Sequence, residues 1–105
     1  MTLCGEEAMH MSRLDELRSE LDAVDREIVA LFEKRMTIAR GVAQFKLEND
    51  MQVLDRSREA AVLESRAAML HDAYWAEDVR MLYETIMACS RREQEKCIRE
   101  AQTND

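Results

Sequence analysis

Apolar residues recur at Leu14, Leu17, Leu21, Val24, Ile28, Leu31, Ile38, Val42 and Phe45, with intervals alternating between three and four. That spacing is the seam of one long amphipathic helix, predicted from Arg13 to Lys46 and uninterrupted by proline. The periodicity fails over residues 47–54, where Asn49-Asp50 suits a turn. Asp55 then stands where an N-cap belongs, ahead of a second helix predicted from Arg56 to Leu70. A connection over His71 to Trp75 leads to a third helix, Ala76 to Arg99, whose apolar face reads Val79, Leu82, Tyr83 and Ile86. The pattern therefore predicts an all-α chain of three helices, the first very long. About 34 helical residues span about 50 Å, whereas a compact domain of this length has a radius of gyration near 13 Å. Such a helix needs a cover for its seam, and a second copy of the chain, intertwined as a homodimeric bundle, is the simplest one.

Composition agrees. The 105 residues suffice for one domain, expected over 13–100 between an N-terminal tail at 1–12 and a frayed end at 101–105. Met1, Met9 and Met11 are all candidate starts. No proline, two glycines, 47% apolar and 35% charged residues favour helix over sheet. A net charge of −7 argues against a nucleic-acid or membrane-surface partner, since both need a basic face. It also means that a site for an anion must gather its cations locally. Neither a membrane span nor a signal peptide is legible, so a cytoplasmic location is expected. Three cysteines (Cys4, Cys89, Cys97) and isolated His10 and His71 give neither a disulfide framework nor a metal site.

The seam has one violation, Arg35. A buried guanidinium needs an anionic partner, either a carboxylate on a neighbouring helix or a bound ligand. Arg35, Ala39, Val42 and Lys46 share one helix face, so two cations flank two short apolar residues and leave room between them. Lys46 is near the helix end, and a solvated position is the alternative. Asp55, Arg58 and Glu59 share the first turn of the second helix. Capping and the helix dipole explain the two acids, but a cation in that turn is at the unfavourable end. On the third helix the apolar stripe runs on into Ser90 and Gln94, which either bond to something buried or mark where the stripe meets solvent. Arg18 precedes Arg35 by 17 residues, about 26 Å along a helix. Both can touch one small ligand only if Arg18 comes from another subunit.

The ordered set of Arg, Arg, Lys, Asp-x-x-Arg-Glu and Ser-x-x-x-Gln, carried by LDELRSELDAVDREIVALFEKR, VAQFK, LDRSRE and CSRREQ, resembles the all-helical AroQ class of chorismate mutases from about Leu14 to Gln94. Gln52 stands where that family often has proline. The resemblance implies a free-standing mutase acting in phenylalanine and tyrosine biosynthesis. Its active site would lie between two chains. Arg18 would come from the partner, with Arg35, Lys46, Asp55, Arg58, Glu59, Ser90 and Gln94 from one chain and Val42 and Met87 as apolar walls. It implies no cofactor and no metal, because chorismate rearranges to prephenate within one molecule. Catalysis would come from holding a compact conformer and stabilising charge on the ether oxygen. Arg18, Arg35 and Arg58 would pin the two carboxylates. Lys46 and Gln94 would donate to the ether oxygen, Glu59 would accept from the ring hydroxyl, and Ser90 would assist a carboxylate. Three alternatives share these residues: an isochorismate pyruvate-lyase, a mutase for the amino analogue of chorismate, and a non-catalytic helical dimer in which Arg35 and Lys46 pair with internal acids.

Overall fold

A computed structural model describes the backbone of residues 2–103 and the side chains of residues 12–103. The tail expected over 1–12 lies, Ser12 apart, outside the described side chains, as do residues 104–105 of the expected frayed end. Three α-helices account for most of the chain: α1 (Thr2–Glu48), α2 (Arg56–Ala68) and α3 (Ala76–Thr103). There is no strand among the described residues, and none of the described helices is long and apolar enough to cross a membrane. The chain divides into two compact units, residues 1–34 and 35–105.

In the first unit the described residues are all α1. The seam residues Leu14, Leu17, Leu21, Val24, Ile28 and Leu31 are all exposed, Leu21 to 61% and Leu31 to 64%.

The second unit holds the core. The end of α1 follows from local chemistry. Asp50 takes a left-handed conformation (φ 52°) just past the helix, and Met51 N donates to Lys46 O at 2.8 Å, with a longer bond from Asp50 N to Leu47 O. This closing pattern satisfies carbonyls that the last turn would leave bare. Aspartate is among the few residues besides glycine that enter the left-handed region readily. Asn49 adds a side-chain bond from Nδ2 to Phe45 O at 2.8 Å. At the start of α2, Asp55 is extended and its carboxylate accepts from Arg58 N at 3.0 Å, the capping expected from its position. The connection to α3 is itself ordered as a single 3₁₀ turn, Ala73–Trp75, capped by Asp72 through Tyr74 N at 2.9 Å. The periodicity alone did not distinguish that turn from a loop, and α3 continues past the expected Arg99 to Thr103.

What is buried differs from the sequence expectation on α1 and on α3. Ile38, Val42 and Phe45 continue the seam but remain exposed. The residues of α1 that pack within the unit are Ala39 (4% exposed) and Ala43 (1% exposed). Their small side chains admit the neighbouring helices closely, and Val62 and Ala67 of α2 and Met87 of α3 complete the core. The seam and the packed face of α1 are thus different faces. Leu82, assigned to the apolar face of α3, is 55% exposed. Val79, Tyr83 and Ile86 are half-buried, because the stripe that faces α1 and α2 follows Tyr83, Met87, Ser90 and Gln94.

These contacts predict opposite outcomes for two neighbouring substitutions. Ala43→Leu should overpack the helix junction and destabilise the protein by about 1–3 kcal/mol. At Gly41 an added Cβ meets nothing within 4 Å, so Gly41→Ala should stabilise the protein by about 0.5–1 kcal/mol through helix propensity alone. Urea unfolding followed by circular dichroism measures both.

Candidate active site

The three helices of the second unit surround a cavity of about 260 Å³. Its floor is Ala39 and Val42 of α1, Val62 of α2 and Met87 of α3. Four basic side chains open onto it, Arg35, Lys46, Arg58 and Arg91, against two acidic ones, Asp55 and Glu59. In a chain of net charge −7, this is a local excess of positive charge in a partly enclosed, partly apolar space. Such a place strengthens attraction for an anion, because low-polarity walls screen charges less than water does.

Each basic group is held differently. Arg35 is half-buried, and among the described residues it pairs with no carboxylate. Its guanidinium carbon instead lies 5.9 Å from the centre of the Tyr83 ring, which Arg66 approaches at the same distance. A cation over an aromatic face is stabilised without being neutralised, so Arg35 keeps its charge for another partner. Lys46 is also half-buried, and its Nζ donates to the Val53 carbonyl at 2.7 Å. That bond aims the ammonium across the α1–α2 connection and leaves its other donors free. Among the described residues Arg35 is in no ion pair, and Lys46 is half-buried with a main-chain partner. Arg58 lines the cavity although its own backbone N–H is committed to the Asp55 cap.

The polar groups of α3 complete the wall. Gln94 is 6% exposed, a rare degree of burial for a glutamine. Its Nε2 lies 3.0 Å from Ser90 Oγ, and its Oε1 is buried with no partner. A half-turn of the amide exchanges the two ends: Ser90 then donates to Oε1, and the NH₂ group occupies the unpartnered side. Either way, one polar end of the buried amide has no protein partner and is available to a polar group in the cavity.

The structure therefore brings Arg35, Val42, Lys46, Asp55, Arg58, Glu59, Met87, Ser90 and Gln94 around one cavity. Arg18 is exposed and belongs to the first unit. Five lining residues were not among the expected site residues. Ile38, Ala39, Val53 and Val62 are apolar and carry no chemical signal. Arg91 does carry one, as its Nη1 donates to Glu59 Oε1 from α3 to α2. It falls at an unassigned place within Ser-x-x-x-Gln, where one arginine among Arg91 and Arg92 looks like any solvated helix residue.

A second ion pair braces the wall from outside. Arg40 Nε donates to Glu93 Oε1 at 2.7 Å, joining α1 to α3 beside Gln94. That hydrogen bond holds the Glu93 carboxyl below its ordinary value, against the opposing effect of burial, and raises Arg40. The neighbouring Cys97 thiol is pushed up by burial and then by the charge on Glu93.

A family model described as chorismate mutase type II matches residues 17–95. The T-protein of Haemophilus influenzae is 38% identical over 56 residues, which make up 53% of this chain and 15% of that protein. No solved structure matches the chain.

The Arg40–Glu93 pair predicts a pH dependence. A carboxyl depressed on folding contributes stability that is present above its unfolded value, about 4.3, and is lost as pH falls through the lower folded value. Glu93→Gln should therefore lower the melting temperature slightly at neutral pH, the Arg40 partner being largely exposed. The gap to the unsubstituted protein should close under acid. Thermal melts across the pH series would show a constant gap if the bond contributes nothing.

Proposed function

This chain belongs to the chorismate mutase type II family, and on that footing we propose that it converts chorismate to prephenate as a homodimer, in the biosynthesis of phenylalanine and tyrosine. In that isomerisation the ether C–O bond breaks while a C–C bond forms in the same molecule. No group is transferred and no electron is exchanged with the protein. What a protein can contribute is conformation and electrostatics. The observation that carries the reading is the pairing state of the cations. Arg35 and Lys46 face a cavity, and among the described residues neither is neutralised by a carboxylate.

On this reading Arg35 and Arg58 bind carboxylates of the substrate, since a guanidinium fork matches a carboxylate geometrically. Lys46 and the amide of Gln94 donate to the ether oxygen as negative charge builds on it. The unsatisfied end of Gln94 supports this, because the amide then gains a partner where it has none. Glu59 accepts from the ring hydroxyl, and Asp55 keeps the first turn of α2 in place through its cap. Ser90 orients Gln94 and assists a carboxylate. Val42 and Met87 press the substrate toward its compact conformer.

The homodimer rests on the exposed seam of α1. A row of leucines, valine and isoleucine at heptad spacing, left in water, is an association surface. On the sequence spacing argued above, the partner subunit's Arg18 then supplies a third guanidinium.

Two measurements test the proposal. Arg35→Ala should lower kcat/KM for chorismate by about 10²–10³ while far-UV circular dichroism keeps its helical signal; undiminished turnover would reduce Arg35 to a structural residue. The activity profile should be nearly flat from about pH 5 to 8, because Gln94 does not titrate and no histidine lines the cavity. A bell-shaped profile in that range would remove the assigned donors. The prephenate assay and the solution mass, taken on one sample, test activity and dimer together.

A further inference from the structure

The cavity contains one charged residue for which the proposed rearrangement has no role. Arg91 extends from α3 to α2, where its Nη1 donates to Glu59 Oε1. The two side chains are 32% and 24% exposed, so the pair sits at the mouth of the cavity and not in bulk solvent. As a tie between two helices it would be weak, since partly solvated ion pairs contribute little to stability. Its position beside the substrate acceptor suits it to another task.

Building on the mutase reading, we propose that Arg91 is the positioning residue for Glu59. Through it the cavity selects a substrate bearing a neutral ring hydroxyl over the analogue bearing an amine at the same ring position. The argument has two steps. A carboxylate has two oxygens, and Arg91 engages Oε1. This fixes the plane of the group and leaves Oε2 to accept from the substrate. A donor bonded to Oε2 then lies roughly 5 Å from the guanidinium, from ordinary hydrogen-bond lengths. A hydroxyl at that distance carries no net charge and is unaffected. An amine, protonated at neutral pH as alkyl amines are, is repelled by Arg91, and the negative charge of Glu59 that would attract it is already compensated. Without Arg91, Glu59 would be an unpaired acid beside the ring, and the preference would shift toward the ammonium.

The test is steady-state kinetics of the full chain with chorismate and with its 4-amino analogue. The unsubstituted protein should prefer chorismate. Arg91→Met should reduce kcat/KM for chorismate mainly through KM, and should narrow the preference by about tenfold, the range expected for one charge at this distance in a half-solvated site. Arg91→Lys should restore most of the preference, as a charge at the same place must. In a Glu59→Gln background Arg91→Met should cause little further loss. An unchanged ratio in Arg91→Met, or equal ratios in the Met and Lys variants, would overturn the inference and leave the mutase reading standing. Turnover of neither substrate by the unsubstituted protein would overturn both. Should Arg91→Met lose its helical signal, the unsubstituted protein and the Lys variant still decide: equal or better turnover of the amine by both ends the proposal.

Discussion

A cation that lines a cavity without a carboxylate partner among the described residues is the constraint on which the rest of this structure depends. Proteins avoid such arrangements because an unpaired, desolvated charge is costly. Here the cost is kept low by partial measures. The Tyr83 ring supports Arg35 from one face, a main-chain carbonyl holds Lys46, and both side chains remain half-solvated. None of these contacts removes the charge. The cavity is consequently primed for an anion, although the chain as a whole is acidic.

The helices make this possible through residue size. Ala39 and Ala43 let α1 pack closely within the second unit, while the four-residue step from Arg35 to Ala39 and the seven from Ala39 to Lys46 place a charge at each end of a small apolar floor. The α1–α2 connection then does two jobs. Its left-handed Asp50 ends one helix, and the return of the chain brings the Val53 carbonyl to Lys46 and the Asp55 cap to the rim of the cavity. Local rules of helix termination thus set the position of groups that line the cavity.

Both acidic members of the site have a partner within the chain. Asp55 caps α2 and Glu59 is paired with Arg91. Asp55 thus organises the backbone of α2 and Glu59 is tied to α3, while Arg35, Lys46 and the buried amide of Gln94 line the cavity with no carboxylate partner among the described residues. The Arg40–Glu93 bond continues the same logic outside the cavity, tying α1 to the stretch of α3 that carries Gln94.

The helix count, the cap at Asp55, the turn near Asn49-Asp50 and the shared face of Arg35 and Lys46 were legible in the chain itself. Each depends on neighbours within about eleven residues, where helical geometry converts spacing directly into direction. The order of basic and acidic residues also carried the family resemblance. Tertiary structure alone decided which face of α1 packs within one chain, because alanines at 39 and 43 give no hydrophobic signal beside the stronger seam. It alone placed Leu82 in solvent, ordered residues 73–75 as a 3₁₀ turn, and joined Arg91 to Glu59 across 32 positions of sequence. A pairing between side chains on separate helices follows from how those helices pack, and no periodicity within either one encodes it.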